Sequence, residues 1–286
     1  MKWFELGDDF TFTQNGLQET LDGGQSFLWI QDRKTKDWIG QIDGIPFSIR
    51  HQASNRIEVC SSSKKEEQEI VSIACKYIGK NSFFDKMKDE LPWRSDTVLK
   101  NAIHAFPDLR ILTQDPDLVL LSFLCSSNKR ILQIKEMIRL LAIKFGQEIS
   151  PEQFCPPKLS TLSEVELEDL KLCKLGYRAK YVKSVGTVLK KEPDFHQTIR
   201  KLDYATAKKK MCSLFGVGEK VADCVLLFGY QKWEAFPIDT WILKSLEDLY
   251  QLKSFNKNQM IQFAHLHYGR YAGYAQQFLF SYIRSI

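Results

Sequence analysis

The chain lacks any apolar run long enough to cross a bilayer. Of its 286 residues, 44% are hydrophobic, but charged residues interrupt every apolar stretch before the roughly 20 residues that a transmembrane helix needs. Lys2, Glu5, Asp8 and Asp9 also prevent an apolar signal core within the first ten residues. We therefore expect an intracellular protein with no membrane among its partners.

Paired cysteines are also missing. The seven cysteines are an odd number, and no two of them form a Cys-x-x-Cys pair. Cysteines scattered in this way favour reduced thiols over a disulfide framework or a zinc site. The sequence therefore predicts no metal centre.

Net charge is small but unevenly distributed. The formal net charge is +5 at pH 7. Residues 1–113 carry 15 Lys and Arg against 17 Asp and Glu, a net of −2, whereas residues 114–286 carry 25 against 18, a net of +7. A basic excess in one region is expected of a phosphate-binding face, although many solvated helical surfaces have the same composition.

Residue patterning also differs between the two halves. Residues 64–113 and the chain beyond Pro116 have the apolar spacing of helices. Earlier, short apolar and β-branched runs between Asp-Gly and charged turns predict strands at Phe10–Thr13, Ser26–Ile30, Trp38–Ile42, Ile45–Ile49 and Ile57–Val59. We predict an α+β fold, with an antiparallel sheet and flanking helices in residues 1–113 and an all-helical domain in residues 114–286.

The most informative stretch is Leu214-Phe-Gly-Val-Gly218. Two glycines in three residues, set between two helical patterns, predict a tight hairpin that joins helices. Gly216, Val217 and Gly218 would leave backbone N–H groups uncovered at a helix start, where the helix dipole favours a phosphate oxygen. An ordinary connection between antiparallel helices remains the alternative.

Lys220 and Asp239 follow this hairpin. Lys220 falls in the first turn of the second helix, where the dipole disfavours a cation. Together with burial, this position would favour the neutral, nucleophilic amine. Asp239, in Phe-Pro-Ile-Asp-Thr-Trp, begins another helix, and an N-cap is its simplest interpretation. Near a nucleophilic lysine, the same carboxylate could also stabilise positive charge developing on a sugar.

The hairpin, Lys220, Val-Ala-Asp-Cys and Pro-Ile-Asp together resemble the helix-hairpin-helix and Gly/Pro-Asp signature of DNA base-excision glycosylases. Within that superfamily the stretch is similar to the 8-oxoguanine DNA glycosylases. Members with this lysine form a Schiff base with the sugar of the damaged nucleotide, whereas monofunctional relatives lack it. The resemblance implies a monomeric enzyme that needs no cofactor, removes 8-oxoguanine from double-stranded DNA and has associated AP-lyase activity.

The resemblance also implies a set of base-recognition residues. Gly24, in Gly-Gly-Gln-Ser-Phe, would accept the N7 hydrogen that 8-oxoguanine has and guanine lacks. Cys224 and Phe280 would cover the two faces of the extruded base, and Gln276 would read its Watson–Crick edge. Phe228 lies on the same helical stripe as Lys220 and Cys224.

Cys-Ser-Ser-Asn-Lys-Arg resembles a family loop that enters the duplex. Asn128 would fill the space left by the extruded base, and Lys129 and Arg130 would lie against DNA. Without the resemblance, this segment could be a capped helix junction with two solvated charges. Gln133 stands where cytosine-reading members carry an arginine, so a strict preference for cytosine opposite the lesion is not expected.

Two further segments complete the predicted DNA surface. Tyr177 resembles an intercalating tyrosine and Arg178 a neighbouring arginine that contacts the orphan base, although Tyr177 could equally pack on a helix start. Trp241 stands where better-known members have a histidine. Lys208 to Lys210, by contrast, is expected to be a solvated helix face.

Two other functions fit parts of this pattern. A 3-methyladenine-type glycosylase would share the sheet, the hairpin and the aspartate, but it would not need Lys220 and would prefer alkylated bases. A DNA-binding module without enzymatic activity could use the hairpin alone.

Overall fold

An antiparallel sheet of five strands forms the N-terminal part of the protein in the computed structural model, which describes residues 2–286. Spatially the strands are ordered β1-β5-β4-β3-β2. Gly40 pairs with Phe47 across β3 and β4, and Ile49 pairs with Val59 across β4 and β5. The strands are β1 Phe4–Glu5, β2 Ile30–Gln31, β3 Trp38–Ile42, β4 Ile45–His51 and β5 Ile57–Cys60.

The predicted sheet is confirmed, but two of its predicted strands are wrong. Phe10–Thr13 contributes only an isolated bridge from Thr11, because Thr13 caps helix α1, Gln14–Asp22. Ser26–Ile30 enters the sheet only at its last residue. The reason is Gln25, whose buried side chain bonds the carbonyl of Arg110 and the N–H of Leu112 and so holds this segment away from the strands.

Helices account for most of the remaining chain. Asp115 illustrates how they begin, since its carboxylate caps α5 and Pro116 occupies the first turn. The first group is α2 Glu67–Ile78, α3 Asn81–Glu90, α4 Thr97–Ala105, α5 Pro116–Leu124 and α6 Ile131–Phe145. The second is α7 Leu159–Leu162, α8 Leu167–Leu170, α9 Arg178–Lys191, α10 Phe195–Lys201, α11 Tyr204–Cys212, α12 Glu219–Tyr230, α13 Thr240–Asp248, α14 Lys257–Tyr268 and α15 Ala272–Ser285.

One part of the helical half departs from the prediction. A two-stranded antiparallel hairpin, β6 Gln147–Ser150 and β7 Gln153–Cys155, follows α6. It docks on the N-terminal sheet through Gln41, whose amide donates to the carbonyl of Phe154 over 2.9 Å. This half is therefore mainly, but not wholly, helical.

Two hydrophobic clusters form the core. The smaller one lies against the sheet and includes Leu17, Trp29 and Ile49. The larger one lies among the helices and includes Phe84 of α3 and Leu99 of α4. Two helices from the first half of the chain thus pack with the helical core, while the division at residue 113 remains a prediction. No helix in residues 2–286 is long and apolar enough to span a membrane.

Candidate active site

A cavity of about 990 Å³ opens where the hairpin, α6, α13 and α15 meet the loop between α1 and β2. Its walls come from segments that are distant in sequence. Most of the residues singled out from the sequence line it: Gly24, Asn128, Lys129, Arg130, Gln133, Gly216, Gly218, Lys220, Cys224, Phe228, Asp239, Trp241, Gln276 and Phe280.

The hairpin between α11 and α12 has the predicted form. Gly216 has a φ of +88°, and a Cβ there would lie 2.2 Å from the ring of Tyr181, so only glycine fits. In the described chain, the N–H groups of Gly216 and Gly218 donate to no protein acceptor, whereas that of Val217 donates to the carbonyl of Leu214. Two uncovered donors thus lie beside the positive end of α12.

Lys220 lies in the first turn of α12, as predicted. Its Nζ is 3.4 Å from the hydroxyl of Ser126 and 5.0 Å from the centre of the Phe123 ring. Phe123 in turn stacks on Phe228, with ring centres 5.6 Å apart. No carboxylate of residues 2–286 forms an ion pair with Lys220. The amine is held by weak contacts and can reach a ligand in the cavity.

Asp239 is the N-cap of α13, which confirms the structural part of its prediction. One oxygen, Oδ1, accepts from the N–H groups of Trp241 and Ile242 at 3.0 and 2.9 Å. No hydrogen bond from the described residues reaches Oδ2. The cap fixes the carboxylate while leaving one oxygen for the cavity that Lys220 also lines.

Cys224, Phe280 and Gly24 meet in the same cavity. Burial raises the pKa of the Cys224 thiol to about 12, so this side chain is a small neutral wall at physiological pH. Gly24 has a φ of +102°, and a Cβ there would lie 3.3 Å from Ile131 and 3.5 Å from the Phe280 ring. A side chain at Gly24 would therefore occupy cavity space next to Ile131 and Phe280.

Gln276 is buried, with 3% of its surface exposed. Its Nε2 donates to the carbonyl of Pro237 over 3.2 Å, and its Oε1 accepts from Gln277 over 2.7 Å. The recognition amide predicted from the sequence is thus already held in a defined orientation.

The loop from α5 to α6 reaches the cavity with Asn128, whose φ is +51°. Gln133 lies in the first turn of α6, and its Oε1 accepts from the backbone N–H of Arg130 over 3.1 Å. The amide oxygen that would face an orphan base therefore serves as part of a helix cap, while Leu132 beside it is 78% exposed.

Tyr177, Arg178 and Val217 lie outside the cavity. Tyr177 is 50% exposed and packs edge-on against Tyr181. Arg178 is only 4% exposed, and its guanidinium donates to the carbonyls of Ser127 and Leu175. It braces the loop that carries Asn128 and is not presented on the surface, so direct contact with an orphan base remains a prediction that this structure does not favour.

Comparison with known proteins matches the chain to one family. Residues 9–117 fit the family model "8-oxoguanine DNA glycosylase, N-terminal domain". The N-glycosylase/DNA lyase OGG1 of Arabidopsis thaliana is 30% identical over 98% of this chain and 80% of its own length. A probable N-glycosylase/DNA lyase of Methanothermobacter thermautotrophicus is 40% identical, but the match covers only 43% of this chain and 39% of that protein.

A solved structure agrees over the full length. The Clostridium acetobutylicum 8-oxoguanine glycosylase/lyase, in complex with double-stranded DNA containing cytosine opposite 8-oxoG, has a TM-score of 0.86 and 28% identity. The similarity covers 100% of this chain and 98% of that one. This chain belongs to the 8-oxoguanine DNA glycosylase family. The architecture of an N-terminal sheet followed by a helical domain agrees with this family assignment.

Several residues of this family member were not singled out from its sequence. Ser126, Phe123 and Gln277 line the cavity beside the predicted residues. Arg284 donates to the carbonyl of Gly23 over 3.1 Å and lies 4.8 Å from the Phe280 ring. The spacing of Arg284, four residues and one helical turn after Phe280, indicates that both lie on the same face of α15. For Ser126, the only indication in the sequence is that it belongs to the loop that carries Asn128.

One prediction near the hairpin is wrong. Lys208 was expected on a solvated face, but its Nζ is 2.8 Å from the carboxylate of Asp223, whose side chain is 3% exposed. The hydroxyl of Tyr204 donates to the same carboxylate over 2.7 Å. Asp223 belongs to α12, and its carboxylate is buried. A cation from α11 is therefore needed to neutralise it.

Proposed function

We propose that this protein removes 8-oxoguanine from double-stranded DNA and then cleaves the strand at the resulting abasic site by β-elimination. One observation carries the proposal. Lys220, free of any carboxylate partner in residues 2–286, and the capping carboxylate of Asp239 line the same cavity as Gly24, Cys224 and Phe280. The groups that would serve as nucleophile, charge stabiliser and base-recognition wall therefore lie around one cavity.

The hairpin supports binding to the DNA backbone. The uncovered N–H groups of Gly216 and Gly218 suit a phosphate oxygen. The ring of Tyr181 packs against both Gly216 and Tyr177. It therefore connects the hairpin that would bind phosphate to the exposed tyrosine that would enter the base stack. Extruding a base costs a few kcal/mol of stacking and pairing, and Tyr177 and Asn128 would stabilise the gap that it leaves.

The cavity would then select the lesion. The carbonyl of Gly24 accepts the N7 hydrogen of 8-oxoguanine, and guanine has no hydrogen at that position. Cys224 and Phe280 enclose the base, since a buried neutral thiol and a ring are both compatible with a flat purine. Gln276 meets the Watson–Crick edge.

Lys220 would carry the covalent step. Its amine nitrogen attacks C1′ of the extruded nucleotide, and the bond from C1′ to the base nitrogen breaks. Positive charge builds on the sugar as the base leaves, and Oδ2 of Asp239 is free to stabilise it. The proton that the attacking nitrogen loses goes to the departing base. Protonation of the ring oxygen O4′ then opens the sugar ring to a Schiff base between Lys220 and C1′. Loss of a proton from C2′ breaks the C3′–O bond, and the 3′ phosphate leaves. The residues present require no metal for these steps.

A panel of lesion duplexes tests this function. Single-turnover excision is measured on duplexes with 8-oxoguanine or an alkylated purine, each opposite cytosine and opposite adenine. We expect excision and strand cleavage at 8-oxoguanine, with the rates opposite cytosine and adenine within about tenfold of each other because Gln133 carries no charge. Preference for the alkylated purine without strand cleavage would support a 3-methyladenine-type enzyme, and binding without turnover a DNA-binding module.

A further inference from the structure

A second buried amide lies beside Gln276 on α15. Gln277 is 5% exposed and also lines the cavity. Successive residues of a helix project about 100° apart and do not normally face each other. Here Nε2 of Gln277 nevertheless donates to Oε1 of Gln276 over 2.7 Å. The two amides therefore act as one polar unit in the wall of the cavity.

The orientation of this unit follows from its third member. Nε2 of Gln276 donates to the backbone carbonyl of Pro237 over 3.2 Å. A carbonyl can only accept, so the nitrogen of Gln276 must face Pro237 and its oxygen must face Gln277. Gln277 must then present its nitrogen. Gln277 therefore donates to Gln276, and Gln276 donates to Pro237. If either amide were turned over, one of these two hydrogen bonds would be lost.

The backbone that leads into Pro237 packs against α15. The N–H of Gly273, one turn before Gln276, donates to the carbonyl of Trp233 over 2.8 Å. A Cβ at Gly273 would lie 2.6 Å from the carbonyl oxygen of Ala235. The segment from Trp233 to Ala235, just before Pro237, thus lies directly against the first turn of α15. The acceptor for Gln276 does not depend on a flexible side chain.

We propose that Gln277 is a positioning residue, which acts together with the carbonyl of Pro237 to hold the Gln276 amide with Oε1 towards an extruded base, and thereby sets selectivity at the Watson–Crick edge. The proposal rests on the proposed function. With its nitrogen held by Pro237, Gln276 offers Oε1 as an acceptor, and an amide oxygen can accept a second hydrogen bond. The edge of 8-oxoguanine carries donors at N1 and at its 2-amino group, and in this arrangement the 2-amino group is the donor that meets Oε1 of Gln276.

The test compares two lesions that differ in one donor. 8-Oxohypoxanthine has the N1 donor of 8-oxoguanine but lacks the 2-amino group. Single-turnover excision of both is measured for the wild type, for Gln277→Met and for Gln277→Glu. Methionine keeps the length but cannot donate, and a carboxylate repels Oε1 of Gln276. Gln262→Met is the matched control, because Gln262 is exposed on α14.

We expect the wild type to prefer 8-oxoguanine by about tenfold, the amount that one good hydrogen bond supplies. Gln277→Met should remove most of this preference by slowing 8-oxoguanine excision while leaving 8-oxohypoxanthine within about twofold. Gln277→Glu should lose the preference at least as completely. Gln262→Met should behave as the wild type.

Three outcomes contradict the proposal. An equal loss on both lesions would show that Gln277 only supports the fold, and an unchanged preference in both variants would show that it has no role in selection. A wild type that excises neither lesion would overturn the proposed function as well. This result is distinguishable from a failure of the Gln277 proposal alone, because it is seen in the unsubstituted protein.

Discussion

At the scale of single residues, the sequence was most informative where one motif contains both partners of a local interaction. Asp239 is an example, because it caps the N–H groups of Trp241 and Ile242 in the same segment. Lys220 was predicted from its place just after the glycine hairpin. Gln277 was missed because its partner lies next to it in sequence, where a helix does not normally bring two side chains together. Arg178 was placed on the surface because the sequence does not show that Ser127 lies against it.

Gly24→Ala should damage both the backbone and the cavity. Alanine at a φ of +102° costs about 1 kcal/mol or more, and its Cβ would enter the space between Ile131 and Phe280. We expect excision of 8-oxoguanine to fall by at least about tenfold, as measured in single turnover.

Gly7→Ala is the matched control for this substitution. Gly7 has a φ of +88° and nothing within 4 Å of its would-be Cβ, so it carries the backbone strain without the contact. Equal effects of the two variants on excision would show that the Gly24 substitution acts through backbone strain and lost stability and not through the cavity.

At the scale of elements, the hairpin is held by more than its glycines. The ion pair between Lys208 and Asp223 joins α11 to α12 behind the turn, and the rings of Tyr181 and Phe215 pack edge-on in front of it. Sequence patterning predicted both helices and the turn. It could not predict the ion pair, because nothing in the sequence distinguishes Lys208 from Lys209 and Lys210. Only the packing of α12 against α11 shows that Lys208 is the lysine next to Asp223.

Lys208→Met should destabilise the protein by roughly 3 kcal/mol, because it leaves a buried carboxylate unpaired. Burial already raises the pKa of Asp223 above 3.8, and Lys208 opposes that shift. Without the lysine, the folded state binds a proton more tightly than the unfolded state does. The lost stability should therefore return progressively as the pH falls towards the raised pKa of Asp223, because protonation removes the buried charge.

Urea unfolding at several pH values measures this effect. The double variant Lys208→Met, Asp223→Asn has no buried charge and should lie close to the wild type at every pH. A Lys208→Met variant with unchanged stability, or with a deficit that grows on acidification, would contradict the role of this pair.

At the scale of the whole molecule, the order of sheet and helices was readable from the change between strand and helix patterns. The individual strands were less readable. Thr13 ends one apparent strand by capping α1, and Gln25 holds another away from the sheet through contacts with residues about 85 positions later in the chain. Such long-range contacts leave no periodic trace in the sequence.

The charge distribution predicts how DNA affinity depends on salt. Residues 114–286 carry the net positive charge and also supply the hairpin. Each phosphate contact should contribute about −0.9 to the slope of log affinity against log salt. Two or three contacts would lower affinity by about tenfold or more between roughly 50 and 200 mM salt, as measured by fluorescence anisotropy on an undamaged duplex. Affinity that is independent of salt would show that the lysines and arginines of residues 114–286 do not neutralise DNA phosphates.

The most direct test of the account is borohydride trapping on a duplex that contains 8-oxoguanine. Reduction converts a Schiff base into a stable covalent adduct, which is resolved from free DNA on a denaturing gel. We expect an adduct with the wild type and with Lys191→Gln, a control at an exposed lysine of α9, and none with Lys220→Gln. An undiminished adduct in Lys220→Gln would contradict the central claim that this amine is the nucleophile.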